Sequence, residues 1–184
     1  MSELHEEVRP HLDRFGPWRW SRAEINLPMI WNFCEAVEDA NPAYWDRKTA
    51  TATRFGRLIA PPQMIMTMSG GHWWAPDYVH ERERTAMKVE AEDPPGEVAK
   101  LVEQHGFTTA TMVTRADEYL SPYGPGDGHI RQATKVIDVS EVKQTKVGRG
   151  VFLNSVIEYR AECDDRPIAR ANNVLLRYDP STPR

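Results

Sequence analysis

The feature that most constrains this chain is the series of strand patterns in its second half. Residues 108–119 are rich in threonine, valine and aromatic side chains, which favour extended backbone. Between positions 151 and 161 every second residue is small or apolar, the period of a strand with one buried face. Residues 130–142 and 168–178 are also predicted to form strands, and only short turns join the last three segments. This arrangement predicts an antiparallel meander.

The first half of the chain has helical patterns instead. Asn26 is placed to cap a helix whose first turn contains Pro28, and apolar residues then recur at helical spacing up to Val37. Residues 61–69 are apolar nearly all round, so we expect a helix that is buried on every side. A buried helix followed by antiparallel strands predicts an α+β fold in which the sheet wraps around a central helix.

The domain organisation is expected to be simple. A chain of 184 residues can bury one core, and neither an internal repeat nor a long linker divides it. We expect a single domain over residues 1–184, with a core at about 25–178 and an insert at about 71–106. Within the insert, residues 93–96 are predicted to form a turn and residues 97–105 a helix.

Charge and cysteine content make several classes of partner and site less favourable. The chain has 23 basic and 27 acidic residues and a net charge of −4, which disfavours nucleic-acid or anionic-membrane partners. Cys34 and Cys163 have no disulfide framework or zinc spacing, so we expect reduced thiols and no metal. The N-terminus lacks an apolar signal core, and no apolar run is long enough to span a membrane. We therefore expect a cytoplasmic protein.

The most informative motif is the run Asp39, Ala40, Asn41, Pro42, Ala43, Tyr44 after the predicted helix. It resembles the Asp-x-Asn-Pro-x-His signature of the MaoC-like dehydratases and (R)-specific enoyl-CoA hydratases. Residues 56–62, 119–127 and 148–152 resemble further blocks of this family, in the family's order. The resemblance covers about residues 25–178, and it implies a hot-dog fold.

The chain departs from the catalytic members of the family at two places. In those members, the aspartate and the histidine exchange protons with the water that adds to the enoyl double bond. Here Asp39 is present, but Tyr44 stands at the histidine position, and a phenol with a pKa of about 10 is a poor base at neutral pH. Pro61 and Pro62 replace a His-Gly pair at the start of the central helix, and proline has no N–H to polarise a thioester.

These departures resemble the N-terminal type of MaoC dehydratase half, and most of all the MaoC-like subunit of heteromeric hydratases in steroid side-chain degradation. The resemblance implies a substrate-binding, non-catalytic subunit that acts on a bulky acyl-CoA without a cofactor. The implied partner is a catalytic hot-dog subunit with an intact Asp/His motif. The implied substrate-binding residues are Asn41, Pro61, Pro62, Met64, Trp73 and Trp74.

Other interpretations remain open at this stage. The chain could be a self-sufficient homodimeric hydratase or thioesterase, or an acyl-binding scaffold without a hydratase partner, because hot-dog folds host several activities. Asp39 and Asn41 could simply shape a turn, and Tyr44 could simply pack in the core. Asp127, between two glycines, is expected to be a turn residue. The cations that could contact coenzyme A phosphates, or be ordinary surface charges, are Arg54, Arg57, Lys146 and Arg149.

Overall fold

The structure, a computed structural model, describes residues 3–69, 77–78 and 92–183. Its helices are α1 (Glu3–Val8), α2 (Leu27–Val37), α3 (Pro42–Trp45), α4 (Arg47–Ala52), α5 (Ile65–Ser69) and α6 (Pro94–Gln104). Short 3-10 turns follow α1 at Arg9–His11 and precede α5 at Pro62–Met64. The strands are β1 (Arg19–Trp20), β2 (Thr109–Tyr119), β3 (Ile130–Val139), β4 (Lys143–Gln144), β5 (Arg149–Ala161) and β6 (Pro167–Asp179).

The strands form one antiparallel sheet in the order β1-β3-β5-β6-β2, with β4 added beside β5. The predicted meander is confirmed, since β3, β5 and β6 are consecutive neighbours. β2 returns to the far side of β6, and their pairing runs from Thr109 opposite Tyr178 to Tyr119 opposite Ala169. The α+β architecture predicted from the sequence is therefore confirmed.

Two apolar clusters cover the inner face of the sheet. The first packs α2, the segment before α5 and the loop before β3 against Ile130, Tyr159 and Ala161. The second packs α1 and α6 against Val136, Val139, Val151 and Leu153 at the other end of the strands. The alternation between residues 151 and 161 therefore marks the face that both clusters bury, as the period of two predicted.

The central helical segment differs from the expectation. Residues 61–69 were expected to form one helix buried on every side, but the structure has the 3-10 turn Pro62–Met64 followed by the short helix α5. Met64 and Ile65 are buried, whereas the side chain of Met66 is 53% exposed. Successive helical residues point about 100° apart, so a helix that contacts the core on one side leaves its other side uncovered. Apolar composition alone did not distinguish these two sides.

The expected turn at residues 93–96 is wrong, because these residues begin helix α6. Asp93 is the N-cap, and its carboxylate accepts a hydrogen bond from the backbone N–H of Gly96 at 3.3 Å. Pro94 and Pro95 occupy the first turn of the helix, where backbone N–H groups have no intrahelical partner and proline is tolerated.

One long edge of the sheet is covered by another part of the chain, and the other is open. Residues 13–21 run along β3, and the backbone N–H groups of Asp13 and Gly16 donate to the carbonyl oxygens of Val136 and Thr134 at 2.7 and 2.8 Å. Along the outer edge of β2, no strand pairs with it within the described parts of the chain. This open edge shows four partly exposed apolar side chains, Met112, Val113, Tyr119 and Leu120.

Candidate functional site

The Asp39–Tyr44 motif forms a tight turn between α2 and α3. Asp39 Oδ1 accepts a hydrogen bond from the backbone N–H of Asn41 at 3.0 Å, and Asn41 Oδ1 accepts one from Ala43 at the same distance. Asn41 is therefore the N-cap of α3, whose first residue is Pro42. The indole N–H of Trp45 donates to the backbone oxygen of Asp39 at 2.7 Å and closes the turn. Both polar side chains of the motif are thus engaged in shaping the backbone.

Tyr44 lies inside the first apolar cluster, with 8% of its surface exposed. Burial raises the pKa of its phenol, and the negative charge of Asp39 raises it further. The side chain therefore stays protonated at neutral pH. Asp39 itself is partly exposed, so these two residues of the motif have different environments.

Hydrogen bonds hold the segment before α5 against the loop that precedes β3. The backbone N–H of Ala60 donates to the carbonyl oxygen of Tyr123 at 2.7 Å, and the hydroxyl of Tyr123 donates to the carbonyl oxygen of Pro61 at 2.9 Å. A Cβ atom on Gly124 would lie 2.7 Å from the carbonyl oxygen of Leu58, so only glycine allows this close approach. These contacts fix the position of Pro61 and Pro62.

A cleft of about 190 Å³ lies beside the segment before α5. Pro62, Tyr119 and Tyr123 line it, together with Phe55 and Ile59. Arg54 also lines the cleft, where its guanidinium lies 4.8 Å from the centre of the Phe55 ring. The cleft therefore combines an apolar and aromatic wall with one exposed cation.

Asp39 lines a different depression, an open groove of about 430 Å³ that also contains Cys34, Pro42 and Trp45. The structure thus brings Asp39 and Tyr44 together but places Asp39 and Pro62 in separate depressions. Met64 is buried in the core rather than in either of them. Trp73 and Trp74 lie outside the described residues.

Asp127 has a larger structural role than its sequence context indicated. Its carboxylate is almost fully buried and accepts hydrogen bonds from Arg57 at 2.7 Å and from the backbone N–H of Gly124 at 2.7 Å. Arg166 lies at 2.8 Å from the same carboxylate. Burial alone would raise the pKa of Asp127, but these donors outweigh it and hold the pKa below the usual value. The sequence signal for this role is weak, because the arginines are distant in the chain.

The described residues contain neither a candidate metal site nor a candidate membrane span. Across residues 3–69, 77–78 and 92–183, no three His, Cys, Asp or Glu side chains are grouped so that they could hold a metal ion. In the same residues, no helix has both the length and the apolar character needed to cross a membrane.

Comparison with known proteins places the chain in a family. Residues 17–124 match the family described as FAS1-like, dehydratase domain region. The 3-oxo-4,17-pregnadiene-20-carboxyl-CoA hydratase alpha subunit of Mycobacterium tuberculosis is 30% identical over 98% of this chain and 54% of that protein. A probable enoyl-CoA hydratase alpha subunit of Thermomonospora curvata is 30% identical over 90% of this chain and 48% of that protein. The chain therefore spans about half the length of the curated relatives it matches.

A solved structure agrees with the sequence comparison. A chain in the crystal structure of the ChsH1-ChsH2 complex from Mycobacterium tuberculosis superimposes with a TM-score of 0.76 and 27% identity. The superposition covers 97% of this chain and 92% of that one. The family match covers more than half of the sequence and includes both the Asp39–Tyr44 turn and the Pro61–Pro62 segment. The chain belongs to the FAS1-like dehydratase family and has the hot-dog fold of the MaoC-like dehydratases.

Proposed function

We propose that this chain is the substrate-binding, non-catalytic subunit of a heteromeric enoyl-CoA hydratase that acts on a bulky, steroid-derived acyl-CoA. The observation that carries the proposal is the burial of Tyr44, a protonated phenol. The sequence resemblance implies that catalytic members of the family have a histidine at this position. The similarity to two proteins named as alpha subunits supports the assignment to one part of a larger enzyme.

The chemistry of hydration explains why Tyr44 is decisive. Addition of water across an enoyl double bond needs a base for the water and an acid for the α-carbon, both with a pKa near the working pH. Burial moves the pKa of Tyr44 upward, away from that range. Asp39 could still accept a proton, but its Oδ1 is already bonded to the N–H of Asn41. One partly exposed carboxylate without a second group does not supply both functions.

The Pro61–Pro62 segment supports the same conclusion independently. A thioester oxygen gains negative charge in the transition state, and free N–H groups at the start of a helix stabilise such a charge. Neither Pro61 nor Pro62 can donate, because proline has no N–H. The carbonyl oxygen of Pro61 is also occupied, since it accepts from Tyr123 and from the N–H of Met64.

The open edge of β2 is the surface that we assign to the catalytic partner. An unpaired edge with exposed apolar side chains invites another strand, and native proteins usually cover such edges. The edge of β3 is already covered by residues 13–21, so it is not available. The resulting assembly would extend the sheet through β2, and the similarity to a chain of the ChsH1-ChsH2 complex supports a heteromeric assembly.

The cleft beside Pro62 is our candidate for the acyl-CoA. Its aromatic and apolar wall suits the hydrocarbon part of a ligand, and Arg54 supplies one positive charge for a phosphate. Arg57 is less suitable, because it is bonded to Asp127. Replacing Arg54 by Gln should weaken binding of a CoA ester by about two- to fivefold, as for an exposed ion pair. The matched control is Arg9→Gln, which changes an exposed arginine that does not line the cleft.

The decisive experiment measures turnover in the assembled enzyme. The partner should be a hot-dog protein with an intact Asp-x-Asn-Pro-x-His motif, encoded beside this chain. With an enoyl-CoA substrate, Asp39→Ala and Tyr44→Phe should change the rate only modestly. The same substitutions at the partner's own aspartate or histidine should lower it about a hundredfold or more.

Two results would contradict the proposal. If Asp39→Ala abolished turnover while the protein stayed folded and assembled, the catalytic site would belong to this chain. Hydration by the purified chain alone at a rate equal to that of the complex would have the same meaning. Either outcome would replace the proposal with a self-sufficient homodimeric hydratase.

A further inference from the structure

A polar strip crosses the inner face of the sheet beside the first apolar cluster. Arg115 and Asp117 lie on this face at the β2 edge, and their side chains are only 16% and 18% exposed. The guanidinium binds the carboxylate through two hydrogen bonds, from Nε to Oδ2 at 2.9 Å and from Nη2 to Oδ1 at 2.7 Å. The charges of this pair therefore cancel within the strip.

Tyr159 on β5 extends the strip across the sheet. Its hydroxyl oxygen accepts a hydrogen bond from Nη2 of Arg115 at 3.3 Å, and its side chain is almost fully buried. No acceptor for the hydroxyl proton is found in the described ranges of the chain. The phenol thus retains one donor that faces the same inner surface as Arg115.

Asn173 on β6 is a second polar group on this face with an atom that makes no hydrogen bond to any described residue. It pairs with Arg115 on one side and with Ser155 on the other, so the three side chains share the inner face. Asn173 is 6% exposed, and its Oδ1 is buried without a hydrogen-bond partner among the residues that the structure describes. Burying an amide oxygen without a donor is unfavourable, so such a group in a native fold calls for an explanation.

The strip begins two residues from Tyr119, which lines the proposed acyl-CoA cleft. Asp117 and Arg115 follow Tyr119 on the same face of β2 at intervals of two residues. The negative charge of Asp117 is close enough to Tyr119 to raise the pKa of the Tyr119 phenol, although burial is the larger cause. Arg115 lies four residues before Tyr119 on β2, about 13 Å along the strand.

We propose that Arg115, Tyr159 and Asn173 form a subsite for an uncharged oxygen, a carbonyl or a hydroxyl, at the far end of the acyl group. This inference rests on the proposed function and adds a specificity determinant to it. A ligand carbonyl would accept from the Tyr159 hydroxyl and the Asn173 amide, and a ligand hydroxyl would donate to Asn173 Oδ1. A carboxylate is disfavoured, because Asp117 already neutralises Arg115.

Matched ligands test the subsite directly. The probes are CoA esters of a four-ring steroid carboxylic acid that carry, on the terminal ring, a ketone, a hydroxyl or no oxygen. Calorimetric titration of the complete chain assembled with its partner should show about tenfold tighter binding of the oxygenated esters, the effect of one good hydrogen bond. Asn173→Leu and Tyr159→Phe should each reduce this preference.

The controls separate the subsite from the fold and from the proposed function. Asn172→Leu makes the same chemical change at the neighbouring exposed position of β6 and should keep the full preference. Tyr159→Phe removes a single oxygen, so it remains informative if Asn173→Leu fails to fold. Equal binding of all three esters to the native protein would overturn the subsite and leave the hydratase proposal standing. Failure of every ester to bind would reject both proposals.

Discussion

Arg57 donates a hydrogen bond from Nη2 to the buried carboxylate of Asp127 at 2.7 Å, although 70 positions separate the two residues. The same carboxylate lies 2.8 Å from Arg166, in the turn before β6. Asp127 therefore joins three separate turns of the chain at one end of the sheet. These turns include the loop that carries Tyr123 and the segment that leads to Pro61, so the ion cluster also supports the walls of the cleft.

Removing this carboxylate should destabilise the fold. Asp127→Ala leaves two arginines without their shared partner, and losing one partner of a buried ion pair costs about 3 kcal/mol in the free energy of unfolding. Asp164→Ala is the matched control, because Asp164 also binds Arg166 but is exposed. Chemical denaturation should show a loss of less than about 1 kcal/mol for this control. Equal losses in the two variants would contradict the role assigned to Asp127.

The same cluster predicts a dependence on pH. The pKa of folded Asp127 lies below the ordinary value, so its stabilisation is complete above the pKa of about 3.9 in the unfolded chain. It is lost as the pH falls through the lower, folded pKa. The melting temperature of the native protein should therefore decrease more steeply below about pH 4 than that of Asp127→Asn. Parallel melting curves for the two proteins across this range would argue against it.

Helix α2 should depend on its N-cap. Asn26 Oδ1 accepts a hydrogen bond from the backbone N–H of Met29 at 3.1 Å. Asn26→Ala should lower the free energy of unfolding by about 1 kcal/mol, the usual cost of losing such a cap. Asn32→Ala, at an exposed position inside the same helix, should be neutral or slightly stabilising, because alanine favours helix. Urea denaturation should show a lower free energy of unfolding for Asn26→Ala and an equal or slightly higher one for Asn32→Ala.

The close approach at Gly124 should tolerate no side chain. A Cβ atom there would lie 2.7 Å from the carbonyl oxygen of Leu58 and 3.0 Å from Cα of Ile59. Gly124→Ala should therefore push this loop away from the segment before α5. The free energy of unfolding should fall by about 1–3 kcal/mol, as at other overpacked sites. Because the displaced residues also line the cleft, the affinity for a CoA ester should fall as well. A stable variant with native affinity would show that this contact does not hold the cleft.

The open edge of β2 should control assembly. Val113→Lys places a charge among exposed apolar residues at this edge, and charged edges resist strand pairing. Analytical ultracentrifugation with the partner should show loss of the complex, while the melting temperature of the chain alone changes little. Ile137→Lys is the control, since Ile137 is a similarly exposed residue on β3, whose edge residues 13–21 cover. Loss of the complex in the control alone would place the interface elsewhere.

The sequence by itself determined the main elements and their order. The alternation of residues 151–161, the capping residue Asn26 and the turn at Asp39–Asn41–Pro42 are local signals, and each was found close to its predicted place. They succeed because strand period, N-capping and the restrictions of proline act over a few neighbouring residues. The family resemblance had the same basis, since short motifs in a fixed order carried it.

The tertiary structure alone decided which of these residues meet. The buried cluster at Asp127 depends on arginines 70 positions before and 39 positions after it, so no local pattern revealed it. Asp39 and Pro62 both belong to family motifs, yet they line separate depressions. The exposure of Met66 and the open edge of β2 likewise depend on what covers each surface. Burial and long-range pairing are properties of the assembled fold, and a sequence period shows only which residues share a face.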